Sequence, residues 1–307
     1  MPVGIWFALA AYASYAFGDA IIKGFGSSLS AFEIIFWTTL FSLIPVLATK
    51  PKSEKLREIF LTTRARALHL RGGLTLIASL CVVYAFTHIR LAETYAIVFL
   101  TPAFITVLAV LFLKEEMTVR RWLSLALGFS GVMLVVRPGF RELELGHLAA
   151  FGCAFFASVA AVLLRMVSQT EKRITIVGFS VAYALIFTGI IIALSPGMGL
   201  PSWLQLATLA VTGSLGGLGH ILIITATKAA PANMVAQTQY SQIVWAIILG
   251  AFFYQEYPDA IGLAGLSIVV LAGFVNFTPE RARTWFGAHV VAIRKRRNAA
   301  AAQNKQV

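Results

Sequence analysis

Residues 92–113 read AETYAIVFLTPAFITVLAVLFL, a run whose only charge is Glu93 and which ends abruptly at Lys114, Glu115 and Glu116. About 20 predominantly apolar residues are what an α-helix needs to cross the hydrocarbon of a bilayer. Unpaired backbone groups are costly there, and the run lacks the alternation of a barrel strand, so it is read as a helix. Nine further runs of the same kind lie outward from it, at 3–22, 31–49, 72–88, 122–136, 147–168, 175–194, 203–227, 232–254 and 260–277. Composition agrees: 59% of residues are apolar, 12% are charged and the mean hydropathy is +0.82, whereas about a quarter of residues are charged in a water-soluble domain. The predicted class is all-α, a polytopic membrane protein of ten transmembrane helices. That leaves no room for a second soluble domain, a nucleic-acid-binding module or a disulfide scaffold. Cys81 and Cys153 fall inside apolar runs and read as small packing residues.

The net charge of +12 sits between and after the spans. With ten spans and both termini on one side, that side collects 20 Lys and Arg residues, while the other holds only Lys23, Arg90, Arg137 and Arg141. Basic loops stay in the cytoplasm, so both termini are expected there. Span 1 has no basic leader before it and nine spans after it, and is expected to be an anchor rather than a cleaved signal peptide.

Sliding the chain by 140 residues lays 72–116 on 212–256 without a gap, pairing Gly73 with Gly213, Ala92 with Ala232 and Glu116 with Glu256, and the breaks between spans coincide. At an offset of 139, Leu9-Ala10-Ala11-Tyr12 meets Leu148-Ala149-Ala150-Phe151. The expected organisation is a first repeat at 3–137, a second at 147–277 and a basic tail at 278–307. Five spans per repeat is an odd number, so the halves cross the membrane in opposite senses, an arrangement typical of carriers.

The run Arg90-Leu91-Ala92-Glu93-Thr94-Tyr95-Ala96, then Pro102, then Leu113-Lys114-Glu115-Glu116 with Gly128 and Gly131, resembles the EamA module of the drug/metabolite transporter superfamily. The second copy keeps Pro231-Ala232, Glu256 and Gly273, but Gln242 stands where Pro102 would fall. The resemblance implies a ten-helix carrier of the bacterial inner membrane, with a central cavity lined mainly by spans 1, 3, 4, 6, 8 and 9. Within the family the chain is similar to exporters of amino acids, aromatic and neutral ones included. A larger solute, such as an adenosylated metabolite or a sugar nucleotide taken up or exchanged, is the alternative.

Polar residues inside spans mark a pathway because lipid penalises them. Span 9 is the densest, with Asn233, Gln237, Thr238, Gln239, Tyr240, Ser241 and Gln242 before Trp245. Gln237, Ser241 and Trp245 fall at i, i+4 and i+8, on one helix face suited to gripping a zwitterion; the alternative gives these groups to helix–helix packing. Tyr95, Phe99, Thr101 and Pro102 in span 4, Tyr12, Tyr15 and Asp19 in span 1, and Tyr84 in span 3 complete the cavity candidates. Pro102 removes a backbone donor and either frees a carbonyl for the cavity or makes a packing kink. His220 lies deep in span 8 among glycines, as a substrate contact, a proton carrier or a packed neutral imidazole. Asp19 and Lys23 stand four apart and are expected to be able to pair. Glu116 and Glu256, just past spans 4 and 9, are read as capping or gate-bracing groups. Glu33, His88 and Glu93 near span ends are read as snorkelling or capping.

The tail interleaves Trp285, Phe286, Val290 and Val291 with Arg281, Arg283 and Arg294 to Arg297. It should lie on the cytoplasmic membrane surface against anionic lipids. The expected partners are thus a small-molecule substrate and the lipid bilayer, with no nucleic acid and no obligate protein partner. No cofactor, metal-ligand or Walker-type pattern is present. A rival enzyme reading takes Gly128-Phe129-Ser130-Gly131 as an intramembrane serine protease motif with His220 as base, which requires Ser130 and His220 within hydrogen-bonding reach.

Overall fold

The computed structural model describes residues 3–26, 28–49, 58–113, 119–137, 142–167, 170–198, 200–230, 235 and 238–277. Eleven helices are described: α1 Val3–Phe25, α2 Ala31–Ala48, α3 Ala65–His88, α4 Leu91–Val98, α5 Thr101–Leu113, α6 Val119–Val136, α7 Leu145–Val167, α8 Arg173–Leu194, α9 Trp203–Ala229, α10 Ser241–Tyr254 and α11 Ala260–Phe277. Among the described residues seven segments are long and apolar enough to cross a membrane, one of them formed by α4 running into α5, and three shorter apolar helices bring the total to the ten expected spans. Ser30 and Glu33 form a reciprocal capping box that starts α2, and Ser202 with Gln205 does the same for α9.

Span 4 breaks at Phe99 and Leu100 because Pro102 cannot donate to the carbonyl of Val98. That carbonyl is not left for a substrate. The Thr101 hydroxyl donates to it at 2.6 Å, while Thr106 donates to the Pro102 carbonyl at 2.8 Å. Of the two readings of Pro102, the packing break is the one observed.

The halves are interleaved. The main helix contacts pair α1 with α9, α3 with α7, α6 with α11 and α2 with α9, each joining one half to the other. In span numbers these are 1 with 8, 3 with 6, 5 with 10 and 2 with 8. Exchanging the halves carries 1–8 onto 6–3 and 5–10 onto itself, which is the signature of inverted repeats. Gly131 and Gly265 show why α6 and α11 lie so close: a Cβ on either would stand 2.8 or 2.7 Å from the other's carbonyl oxygen. Gly273, the glycine kept in the second copy, instead packs against the hydroxyl end of the Tyr240 ring. Large apolar side chains such as Trp203, Leu204 and Phe252 point outward, where a soluble protein would place polar groups.

Candidate functional site

A cavity of about 340 Å³ opens between α1, α2, α8 and α9. α1 contributes Tyr15, Gly18, Asp19 and Ile22; α9 contributes Thr212, Gly213, Gly216, Gly217 and His220. Thr38, Thr39 and Ser42 of α2 add hydroxyls, and Val177 and Val181 of α8 close the side. The resemblance implied a cavity of spans 1, 3, 4, 6, 8 and 9, whereas this one is lined by spans 1, 2, 7 and 8. Sequence reading missed Thr38, Thr39 and Ser42, although three hydroxyls within five positions of an apolar span were the available signal. They escaped notice because such hydroxyls satisfy themselves on their own helix: Thr38 donates to the Ile34 carbonyl at 2.6 Å and Ser42 to that of Thr39 at 2.7 Å.

Asp19 is the anionic group of this cavity. Its carboxylate accepts a short hydrogen bond from the buried Tyr95 hydroxyl of α4, and the Gln242 side chain of α10 is the second neighbour of that hydroxyl. Behind Tyr95 runs a ladder of rings, with Phe86 at 5.5 Å, Phe99 at 5.9 Å, Tyr240 at 5.3 Å from Phe99, and Phe274 beyond. Aromatic edges and faces pack well at such spacings, so the ladder fixes Tyr95 and through it Asp19. Tyr15 is held in the same way, its ring lying flat on Gly219, with Tyr12 edge-on at 6.1 Å.

Asp19 and Lys23 do not pair. The Lys23 ammonium reaches Glu256 Oε1 at 2.8 Å, donates to the Ile89 carbonyl at 2.7 Å and lies 5.4 Å from the centre of the Tyr254 ring. Glu256 Oε2 in turn accepts from the Leu91 amide at 3.2 Å. Gln255 makes this possible by taking the left-handed conformation, φ 53°, that turns the chain back after α10 and aims Glu256 at α1. The Tyr254 hydroxyl adds a hydrogen bond to the Ala20 carbonyl. Further charges gather at the same end, where His147 stands 3.4 Å from Glu93, Arg90 stands 3.9 Å from Glu93, and Arg137 pairs with Asp259. Arg90, Glu93 and His147, with Lys23 and Glu256, wall a polar vestibule of about 310 Å³.

Of the other sequence candidates, Tyr84 stacks on His88 at 3.8 Å, outside the cavity lining. Trp245 packs on Phe17 at 5.6 Å, and Ser241 Oγ is buried with no hydrogen-bond partner among the described residues. Gln237 and Glu116 lie outside the described residues, as does the tail. Residues 239 and 240 form a turn before α10 begins at Ser241, and Ser241 and Trp245 of the expected face lie on α10. The protease constellation does not form in this arrangement: Ser130 donates to the Ala126 carbonyl on its own helix α6, and His220 lines the α9 wall of the cavity.

Comparison with known proteins agrees with this architecture. The model of the EamA-like transporter family matches twice, over residues 2–137 and 144–278. The S-adenosylmethionine uptake transporter of Rickettsia conorii is 27% identical over 86% of this chain and 88% of its own. The pseudopaline exporter CntI of Pseudomonas aeruginosa is 26% identical over 86% of this chain and 93% of its own. A crystal structure sharing 16% identity has the same fold, with a TM-score of 0.61 over 90% of this chain and 95% of that one.

Proposed function

The chain belongs to the EamA-like transporter family, and on that premise we propose that it exports amino acids, neutral and aromatic ones included, by alternating access. Its membership makes it a multi-pass membrane protein and a secondary transporter of the drug/metabolite superfamily rather than an enzyme. What the proposal adds is the substrate, the direction and the residues.

The observation that carries it is Asp19. Among the described residues this carboxylate has a hydroxyl partner but no cation, because Lys23 one turn away is committed to Glu256. A carboxylate with no cation beside it in the wall of an intramembrane cavity is a place that a cationic group of the substrate can complete. The ammonium of an amino acid fits: Asp19 binds it, the Tyr15 face adds a cation–π contact, and the Thr38, Thr212 and His220 groups accept or donate to the rest of the zwitterion. The volume is at the small end of ligand sites, which run from about 300 to 1,000 Å³. Export is the direction this shape supports. The cavity reaches Val46 and Val177, near the end that carries Lys172, while the Lys23 end is shut. In this reading the Lys172 end, on the side of the basic excess, faces the cytoplasm of a bacterial inner membrane. Substrate therefore loads from inside, and the repeats 3–137 and 147–277 exchange roles to release it outside, with Glu256 bracing the outer gate.

A second reading, S-adenosylmethionine or a similar adenosylated solute, is favoured by the named substrate of the Rickettsia relatives. Such a solute carries both an ammonium and a sulfonium, and Asp19 suits either. Sugar nucleotides fare worse, since their phosphates would meet the Asp19 carboxylate. Counterflow in proteoliposomes with labelled amino acids and S-adenosylmethionine tests the set. Saturable exchange is expected, lowered by about tenfold or more in Asp19→Asn and Tyr15→Ala without loss of membrane insertion. If no amino acid shows saturable exchange, the amino-acid reading is wrong; if Asp19→Asn transports normally, Asp19 is not the anchor.

A further inference from the structure

We propose, on the reading of the cavity as the substrate site, that Gly216 is the residue that sets how large the uncharged part of the substrate can be. Four glycines crowd one stretch of α9, and three are committed to packing. A Cβ at Gly213 would stand 2.4 Å from the Thr38 carbonyl oxygen, one at Gly217 would stand 2.5 Å from the Pro45 ring, and one at Gly219 would stand 2.7 Å from the Tyr15 ring. At Gly216 a Cβ would meet nothing within 4 Å. Its backbone is not in the left-handed region either, so neither a close approach nor a special φ calls for glycine there. Glycine weakens a helix interior relative to alanine, and what it provides at this position is open space.

That space faces the cavity. Thr212, Gly216 and His220 fall at i, i+4 and i+8, so they form one stripe along α9, while Gly213 and Gly217 form the neighbouring stripe that is sunk into α2. The missing side chain leaves a gap between a hydroxyl and an imidazole, on the wall next to the one that carries Asp19. A substrate anchored by its cationic group on Asp19 lays its remaining part against this gap. Alanine leaves the gap unused, whereas phenylalanine or an adenosyl group needs it.

The test uses the full chain in proteoliposomes and compares counterflow of labelled alanine, phenylalanine and S-adenosylmethionine for wild type, Gly216→Ala and Gly216→Leu. The leucine variant is expected to lower the ratio of large-solute to alanine exchange by about tenfold or more for both larger solutes, with the alanine variant between. Equal loss of all three solutes, or an unchanged ratio of large to small, overturns the proposal; should Gly216→Leu fail to fold, the ratio in Gly216→Ala decides in the same way. A wild type that carries only alanine overturns it too. A wild type that exchanges none of the three refutes the assignment of substrate to the cavity instead, and Gly216 falls with it.

Discussion

The two ends of the molecule join its halves with the same chemistry and differ in how much water they admit. At the Lys23 end the pair with Glu256 is only 12% and 17% exposed and is backed by the Tyr254 ring, the Ile89 carbonyl and the Leu91 amide. At the Lys172 end the corresponding tie, Lys172 to Glu58 at 2.9 Å, leaves the lysine 66% exposed. The first set of contacts ties α1 to the start of α4 and to the α10–α11 turn, whereas the second fastens residues 58–64 to the α7–α8 turn at the rim and leaves the cavity open beside it. Exposed pairs contribute little and shielded pairs strongly resist losing one partner. A carrier needs a seal that holds and yet can be parted. A single shielded ion pair between α1 and the α10–α11 turn meets that need better than an apolar plug would.

The largest effect should come from breaking the shielded pair. Glu256→Gln leaves the Lys23 ammonium without its counter-charge and frees the Leu91 amide, weakening the shut state by about 1–3 kcal/mol, a tenfold or greater shift in population. A cysteine at Ala92, which lines a small pocket beside Glu256, reports this in a background with Cys81 and Cys153 replaced by alanine. Its labelling by a membrane-impermeant thiol reagent is expected to accelerate in Glu256→Gln and to slow again when the charges are exchanged as Lys23→Glu with Glu256→Lys. Unchanged labelling would mean that this end is held shut by packing alone.

How much of this was legible in the sequence depends on the range of the forces involved. Ten spans, the odd count per half and the capping roles at Glu33 and Glu256 follow from composition, periodicity and spacing, which are local or nearly so. Asp19, Tyr15, Tyr95 and His220 were also readable as polar groups in apolar runs. Their partners were not. The i, i+4 spacing offered Lys23 to Asp19, but Gln255 turns the chain so that Glu256 takes the lysine and Tyr95 takes the aspartate. Likewise, Gly213, Gly216, Gly217 and Gly219 look alike in a string of letters. Only the positions of α2 and Tyr15 separate the three that permit contact from the one that leaves space.

The Lys172 end makes smaller and graded predictions. Its one well-furnished acceptor is Glu171, whose Oε1 takes the amides of Thr63 and Arg64 and the Thr63 hydroxyl at 2.9 to 3.0 Å, so a residue of the second half caps the start of α3. Burial alone pushes the Glu171 carboxyl up, but the hydrogen bonds from Thr62, Thr63 and Arg64 outweigh it and hold the group below the usual glutamate range. A depressed value in the folded state means the cap is fully present above the ordinary glutamate pKa and is lost as the pH falls through the depressed one. Hydrogen exchange at Thr63 and Arg64 is therefore expected to be flat from neutral pH down to the glutamate range and to speed up by about threefold to tenfold below it, after correction for the intrinsic rate. Glu171→Gln should show the faster exchange at every pH; a wild-type profile in that variant would remove the cap.

Smallest of all should be Lys172→Ala. Its pair with Glu58 is solvated, and Glu58 keeps the region tied through its carbonyl, which accepts from the Thr175 hydroxyl at 3.1 Å. A change in stability of about 0–1 kcal/mol in detergent, shrinking further with added salt, is expected. If Lys172→Ala instead matched Glu256→Gln in thiol accessibility or melting, exposure would not be what separates the ends, and the sealed and open sides would have to be distinguished by packing of α2 against α8 and α9.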